Sequence, residues 1–135
     1  MPDEFAIEYV ALPNGRIPAR EFVGSLDESA AARIDAFIER PRIYGNRMQG
    51  KFVKKRGGEI FELRIKQYDR IFRILFCYQP GMRIIILSGF QKKTDRTPPA
   101  EIAKAEQLRQ IWLKHRNRYP KSLKERDAMQ KEWEP

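Results

Sequence analysis

Cationic side chains interrupt a stretch of sequence that otherwise reads as β-strands. In Phe61–Lys66 apolar and charged residues alternate with the period of two that a strand requires, and Arg64 falls on the charged face. Arg73 stands alone among apolar residues in the next run, Arg70–Tyr78. Because a buried and unpaired charge is costly, we expect Arg73 to be solvated, ion-paired or functional.

These cations suit phosphodiester chemistry. The planar arginine fork binds a phosphate through two hydrogen bonds and keeps its charge. When a ribose 2′-hydroxyl attacks the adjacent phosphorus, preorganised cations stabilise the growing negative charge more than they stabilise the ground state. Lysines crowded by other cations can take part in proton transfer. Charge alone nevertheless favours phosphate binding without cleavage.

Each cation also has a structural interpretation. Arg73 would form a salt bridge with Glu62 or Asp69. Arg64 would be an ordinary exposed residue of an alternating strand. The Lys92–Lys93 pair would be a charged strand end that blocks edge pairing. The sequence leaves both interpretations open.

The net charge of +9 is unevenly distributed along the 135 residues. Residues 1–39 hold 3 basic and 8 acidic residues, whereas residues 40–73 hold 11 basic and 3 acidic ones. A basic block over a sheet is expected for a protein with a polyanionic partner. A solvated basic surface explains the charge equally well.

The composition narrows the possible chemistry. Cys77 is the only cysteine and His115 the only histidine, so cysteine-rich and histidine-rich metal sites are excluded. No Gly-rich phosphate loop and no nucleophilic triad is recognisable. No run is long enough to span a membrane, and the N-terminus has no apolar signal core, so we expect a soluble, cytoplasmic protein.

The chain predicts an α+β fold with a curved antiparallel β-sheet, two N-terminal helices packed on one face and a C-terminal helix. The predicted strands are Phe5–Val10 (an edge strand), Gly50–Lys55, Phe61–Lys66, Arg70–Tyr78 and Arg83–Phe90. Pro80 and Gly81 have the order of a type II turn, and Gly57-Gly58 predicts a hairpin.

The helices are predicted from caps and prolines. A first helix covers Pro18–Gly24, and Ser25 with Glu28 has the spacing of a capping box for a second helix that ends at Pro41. Thr97-Pro98-Pro99 opens the last helix, which runs to about Arg116. We expect one domain over residues 1–116 and a charged C-terminal helical extension over residues 117–135.

Three short segments follow one another in a recognisable order: Phe61-Glu62-Leu63-Arg64, Phe72-Arg73-Ile74 and Gly89-Phe90-Gln91-Lys92-Lys93-Thr94. Together they resemble the RelE/HigB toxin superfamily, and most closely its phage-derived, HigB-like branch. The resemblance covers about residues 5–116 and implies a RelE-like fold. It also implies a toxin of a type II toxin–antitoxin module that inhibits translation as a metal-independent, ribosome-dependent mRNA endoribonuclease without a cofactor.

The resemblance assigns roles to individual residues. Arg64 and Arg73 would hold the scissile phosphate, and Lys92 or Lys93 would neutralise the transition state or protonate the leaving 5′-oxygen. The residues implied to contact RNA are Lys51, Lys54, Lys55, Arg56, Lys66, Arg70, Phe90 and Thr94. The implied partners are the ribosome, mRNA and a cognate helix-turn-helix antitoxin (HigA-like), with no membrane.

Several alternatives stay open. Phe90 would either stack on a base or pack in the core, and Lys54-Lys55-Arg56 would otherwise be solubilising charges near a hairpin tip. Some relatives use a C-terminal tyrosine or histidine, and here His115 and Tyr119 lie in no matching motif. The alternative functions are a ParE-like gyrase-inhibiting toxin and a non-catalytic basic nucleic-acid-binding protein.

Overall fold

A computed structural model describes residues 4–44, 53–91 and 96–115, with side chains of the first range described up to residue 41. The elements follow the order β1 (Ala6–Tyr9), α1 (Pro18–Gly24), α2 (Glu28–Tyr44), β2 (Val53–Gly57), β3 (Ile60–Gln67), β4 (Arg70–Gln79), β5 (Arg83–Gln91) and α3 (Pro99–His115). The fold is α+β, as predicted. Among the described residues, no helix has the length and apolar character needed to cross a membrane.

The five strands form one sheet in the order β1-β5-β4-β3-β2. Strands β2 to β5 pair antiparallel, and β1 lies at the predicted edge position. However, β1 pairs parallel to β5, so the sheet is mixed rather than wholly antiparallel. Parallel pairing needs a long connection, which the intervening helices and strands provide.

Apolar side chains cover both faces of the sheet. On one face, residues of α1 and α2 such as Val23 and Ile34 join the strand residues Leu63 and Ile74 in one core. On the other face, α3 buries Ala105, Leu108 and Trp112 against strand residues that include Leu75 and Leu87. We call this second side of the sheet the α3 face.

The predicted turns are present. Gly81 has φ of +85°, the sign that a type II turn requires at its position. Gly58, with φ of +51°, lies in the short connection between β2 and β3. Both positions favour glycine because a side chain is strained at positive φ.

Two helix signals are corrected. The N-cap of α2 is Asp27 rather than Ser25, since the Asp27 carboxylate accepts a hydrogen bond from the Ala30 N–H at 3.2 Å. Ser25 instead closes α1, where its hydroxyl donates to the Phe22 carbonyl oxygen at 2.6 Å. Pro41 does not end α2, which continues to Tyr44. Pro41 is buried, and one missing N–H near the end of a helix removes only one intrahelical hydrogen bond.

Several predictions fall outside the described residues. These are the positions Lys51, Lys92, Lys93 and Thr94, the start of the strand predicted at Gly50, and the extension over residues 117–135. The described part of that strand begins at Val53.

Candidate nucleic-acid interface

Two arginines of the predicted site stand opposite each other in the sheet. Arg64 of β3 is the register partner of Arg73 of β4, so both lie on the same face. Side chains two residues apart in a strand share a face, which places Glu62 and Lys66 there as well. Leu75, on the same face of β4, belongs to the α3-side core. The predicted arginines therefore meet on the α3 face.

Arg73 is buried in an ion pair. Its Nη1 donates a hydrogen bond to Glu62 Oε2 at 2.8 Å, and the exposed fractions of the two side chains are 0% and 1%. The salt bridge to Glu62 that the sequence left open as an alternative is therefore present. In this arrangement the guanidinium does not face solvent.

Two further residues complete the surroundings of Glu62. Arg56 Nη2 donates to Glu62 Oε2 at 2.8 Å, and the Thr97 hydroxyl donates to Glu62 Oε1. Burial alone would raise the pKa of Glu62, but the hydrogen bonds from Arg56 and Thr97 and the charge of Arg73 hold it below its usual value. Glu62 is thus a carboxylate that links β2, β3 and β4 to the segment entering α3.

The Glu62 network reduces the repulsion between Arg64 and Arg73. Two like charges placed directly opposite each other destabilise a sheet. Glu62 lies one step away on the same face, diagonal to Arg73, and offsets one of the two charges. Sequence reasoning identified Glu62 as a possible partner, but the parts played by Arg56 and Thr97 were missed, because their contacts join residues that are distant in the sequence.

One group of accessible cations on the α3 face lies along β3 and its neighbour β2. Arg64 is partly buried, Lys66 is exposed, and Lys54 is exposed opposite Glu62. We call Arg64, Lys66 and Lys54 the cationic patch. Three cations on one face of a sheet can hold the phosphates of a polyanion.

Two of the predicted RNA-binding cations lie elsewhere. Lys55 is the register partner of Phe61, and its Nζ lies 5.9 Å from the centroid of the Phe61 ring. This contact is on the face that carries α1 and α2. Arg70 Nη1 donates to Asp27 Oδ1 at 2.6 Å, at the N-terminus of α2. The hydrogen bond from Arg70 and that from the Ala30 N–H lower the pKa of Asp27 to about 2.

The Gly89-Phe90 motif has a packing role. Phe90 is the register partner of Arg73 and is 9% exposed in the α3-side core. A Cβ on Gly89 would lie 2.5 Å from Phe22 Cδ2 and 2.8 Å from Ile74 Cδ1. Gly89 therefore allows α1 to approach β5 closely, and the core interpretation of Phe90 is the one the structure supports.

The remaining reactive side chains offer little catalytic chemistry. Burial raises the pKa of the Cys77 thiol to about 11, so it is protonated at neutral pH. His115 is partly buried in the last turn of α3. Within residues 4–41, 53–91 and 96–115, no three His, Cys, Asp or Glu side chains cluster as a metal site would require.

Comparison with known protein families assigns the chain to one of them. Residues 21–110 match the family described as phage-derived protein Gp49-like (DUF891), and the chain belongs to this family. The match begins within α1 and ends within α3, so it includes the cationic patch and the Glu62 network. A search of the curated proteins found no match.

Proposed function

We propose that this chain is the toxin of a type II toxin–antitoxin module and that it cleaves mRNA on the ribosome without a metal ion. Membership of a phage-derived family supports the toxin class, in line with the resemblance carried by the Phe61–Arg64, Phe72–Ile74 and Gly89–Thr94 motifs. The structural observation that supports an RNA substrate is the cationic patch along β3 on the α3 face.

In this proposal Arg64 binds the scissile phosphate. Its side chain is the arginine of the patch that reaches the surface, and Lys66 and Lys54 on either side would contact neighbouring phosphates. Attack by the 2′-hydroxyl places negative charge on the non-bridging oxygens, and a preorganised guanidinium stabilises that charge. Lys92 and Lys93 follow directly after β5, and they retain the role of neutralising or protonating the leaving 5′-oxygen.

Arg73 takes a different part in the proposal. Because it is buried against Glu62, it would reach a phosphate only after that ion pair opened. We therefore assign Arg73 to positioning: it holds Glu62, and through Glu62 it holds β3 and the start of α3. Arg64 thereby gains a rigid platform.

A non-catalytic nucleic-acid-binding protein is the second candidate, and the burial of Arg73 favours it. With Arg73 withdrawn, the described part of the patch has cations for binding phosphate but one arginine fewer for stabilising a transition state. Such a protein would bind RNA with steep salt dependence and leave it intact.

Induced expression in a bacterial host, with mapping of mRNA 5′-ends, separates these functions. The proposal predicts growth arrest together with new ends inside translated codons. Growth arrest without new ends would point to a gyrase-directed toxin. Neither arrest nor new ends, with the protein present in the soluble fraction, would leave the non-catalytic binding protein. Co-expression of a small helix-turn-helix protein encoded next to this chain is expected to abolish the arrest.

A further inference from the structure

The connection between β3 and β4 contains an exposed aromatic residue in a strained backbone conformation. β3 ends at Gln67 and β4 begins at Arg70, and these two residues pair, so Tyr68 and Asp69 form a two-residue hairpin turn. Tyr68 has φ of +56° and is 84% exposed. It is the most exposed large hydrophobic residue in the described part of the chain.

Folding does not account for tyrosine at this position. Among the described residues of this turn only Tyr68 has positive φ, and a first central residue with positive φ is normally glycine. The backbone of a residue with a side chain is strained at positive φ, whereas that of glycine is not. A ring that is 84% exposed returns little of that cost by packing. Positive φ and exposure are shared by Met82, so what distinguishes Tyr68 is an exposed aromatic ring close to the cationic patch.

The hairpin tip is held rigidly. Side-chain hydrogen bonds in three residue pairs tie the residues around it to α2 and its N-cap: Arg70 to Asp27 at 2.6 Å, Gln67 to Ser29 at 2.8 Å, and Arg33 to the Lys66 carbonyl oxygen at 2.6 Å. Because both strands are fixed where they enter the turn, Tyr68 has a defined position although its ring faces solvent. Because the backbone that carries the ring is already fixed, binding of a ligand to the ring needs little further ordering of the chain.

The charges around the tip favour an anionic ligand on one side. Lys66, two residues before Tyr68, is exposed and belongs to the cationic patch. Along β3, Arg64 lies about 13 Å from Tyr68, a few nucleotides of single-stranded RNA away. Asp69 is the acid of the turn, and Arg70 is ion-paired with Asp27, so the positive charge near the tip comes from Lys66. The tip therefore continues the patch and adds an aromatic surface to it.

We propose that Tyr68 is a stacking platform for an unpaired base of single-stranded RNA whose backbone lies along the cationic patch. Aromatic side chains beside cations are the usual means of holding single-stranded RNA, because every base has a π face and every nucleotide has a phosphate. This inference rests on the proposed function and names a base-binding position for the same site.

The test compares four full-length proteins: wild type, Tyr68→Gly, Tyr68→Phe and Met82→Gly. Met82 is the matched control, since it also has positive φ (55°), is 38% exposed and lies in the turn at the opposite end of β4. Each protein is titrated into fluorescently labelled single-stranded RNA of roughly 12 nucleotides, a length within the range of known single-strand sites. Affinity is measured by anisotropy at several salt concentrations, and folding stability by urea denaturation.

Both glycine variants are expected to be at least as stable as wild type, because glycine relieves the strain at positive φ. Tyr68→Gly is expected to bind RNA roughly fivefold to one hundredfold more weakly, the effect of losing one base–aromatic stack. Its salt dependence should match that of wild type, since no phosphate contact is lost. Tyr68→Phe and Met82→Gly should keep wild-type affinity.

Other outcomes separate the inference from the proposed function. Wild-type RNA binding that Tyr68→Gly leaves unchanged would overturn the inference and leave the toxin proposal intact. Loss of antitoxin binding in Tyr68→Gly with unchanged RNA affinity would also overturn it, by making the tip a protein contact. No measurable binding of this free RNA by wild type would overturn the inference, whereas the ribosome-dependent function is tested separately by the expression experiment.

Discussion

Arg73 donates a hydrogen bond to Glu62 at 2.8 Å while both side chains are almost completely withdrawn from solvent. The pair is diagonal: Glu62 is the register partner of Leu75, and Arg73 is the partner of Arg64. This diagonal position lets Arg64 and Arg73 stand opposite each other in the sheet. The Glu62 carboxylate neutralises the buried Arg73, and Arg64 stays near the surface. The ion pair and the cationic patch are thus parts of one arrangement.

Removal of Arg73 is expected to destabilise the fold. The Arg73→Ala variant leaves the Glu62 carboxylate buried with Arg56 as its remaining ionic partner. We expect the free energy of unfolding to fall by about 3 kcal/mol, the lower end of the range for a broken buried pair. Urea denaturation measures this. Lys104→Ala, which removes an exposed cation of α3, should keep wild-type stability, and an Arg73→Ala protein as stable as wild type would contradict the structural role.

The close approach of α1 to β5 makes Gly89 sensitive to substitution. Gly89→Ala places a Cβ 2.5 Å from Phe22 Cδ2, so the ring or the helix must move. We expect a loss of about 1–3 kcal/mol in the free energy of unfolding, as for other overpacked cores. Gly24→Ala is the matched control, because no atom lies within 4 Å of its added Cβ. Equal stabilities of the two variants would disprove the packing argument.

The Asp27–Arg70 ion pair predicts a pH dependence. The Arg70 hydrogen bond lowers the pKa of Asp27 from 3.8 to about 2, so the folded state favours the carboxylate. The pair therefore contributes stability above about pH 4, and this contribution is lost as pH falls toward 2. The stability difference between wild type and Asp27→Asn should shrink over that interval in urea titrations. In an Arg70→Gln background the shrinkage should be much smaller, and a difference that grew at low pH would contradict the assignment.

Cys77 is expected to be unreactive in the folded protein. Its side chain is fully buried, and burial raises its pKa to about 11, so almost no thiolate is present at neutral pH. A chromogenic disulfide reagent should label the protein only after denaturant is added. Rapid stoichiometric labelling of the native protein would show that β4 opens readily next to the Arg73–Glu62 pair.

The strands were the predictable part of the fold. Alternation in Phe61–Lys66 and Arg70–Tyr78, together with the Pro80-Gly81 turn, was enough to locate β3, β4 and the beginning of β5. These signals are local, so one sequence carries them fully. The parallel pairing of β1 with β5 was not predictable, because it depends on contacts between residues far apart in the chain.

The candidate site was predictable in outline. Strand periodicity places Glu62, Arg64 and Lys66 on one face, and the structure brings Arg73 to that face. The burial of Arg73 and Glu62 could not be predicted from the alternation of the strands, because it depends on α3 covering the sheet and on Thr97 reaching Glu62. The same local signals misled at Ser25, whose hydroxyl was equally suited to close α1 as to open α2.

The rate of ribosome-dependent mRNA cleavage by Arg64→Ala tests the central claim most directly. Arg64 is partly buried on β3, so the Tm of Arg64→Ala is measured first to establish that the variant is folded. Lys104→Ala, which removes an exposed cation of α3, is the charge-matched control. Loss of one preorganised phosphate contact predicts a decrease of roughly 100-fold or more in cleavage rate for Arg64→Ala and no change for the control. A folded Arg64→Ala protein that cleaves mRNA at the wild-type rate would contradict the account.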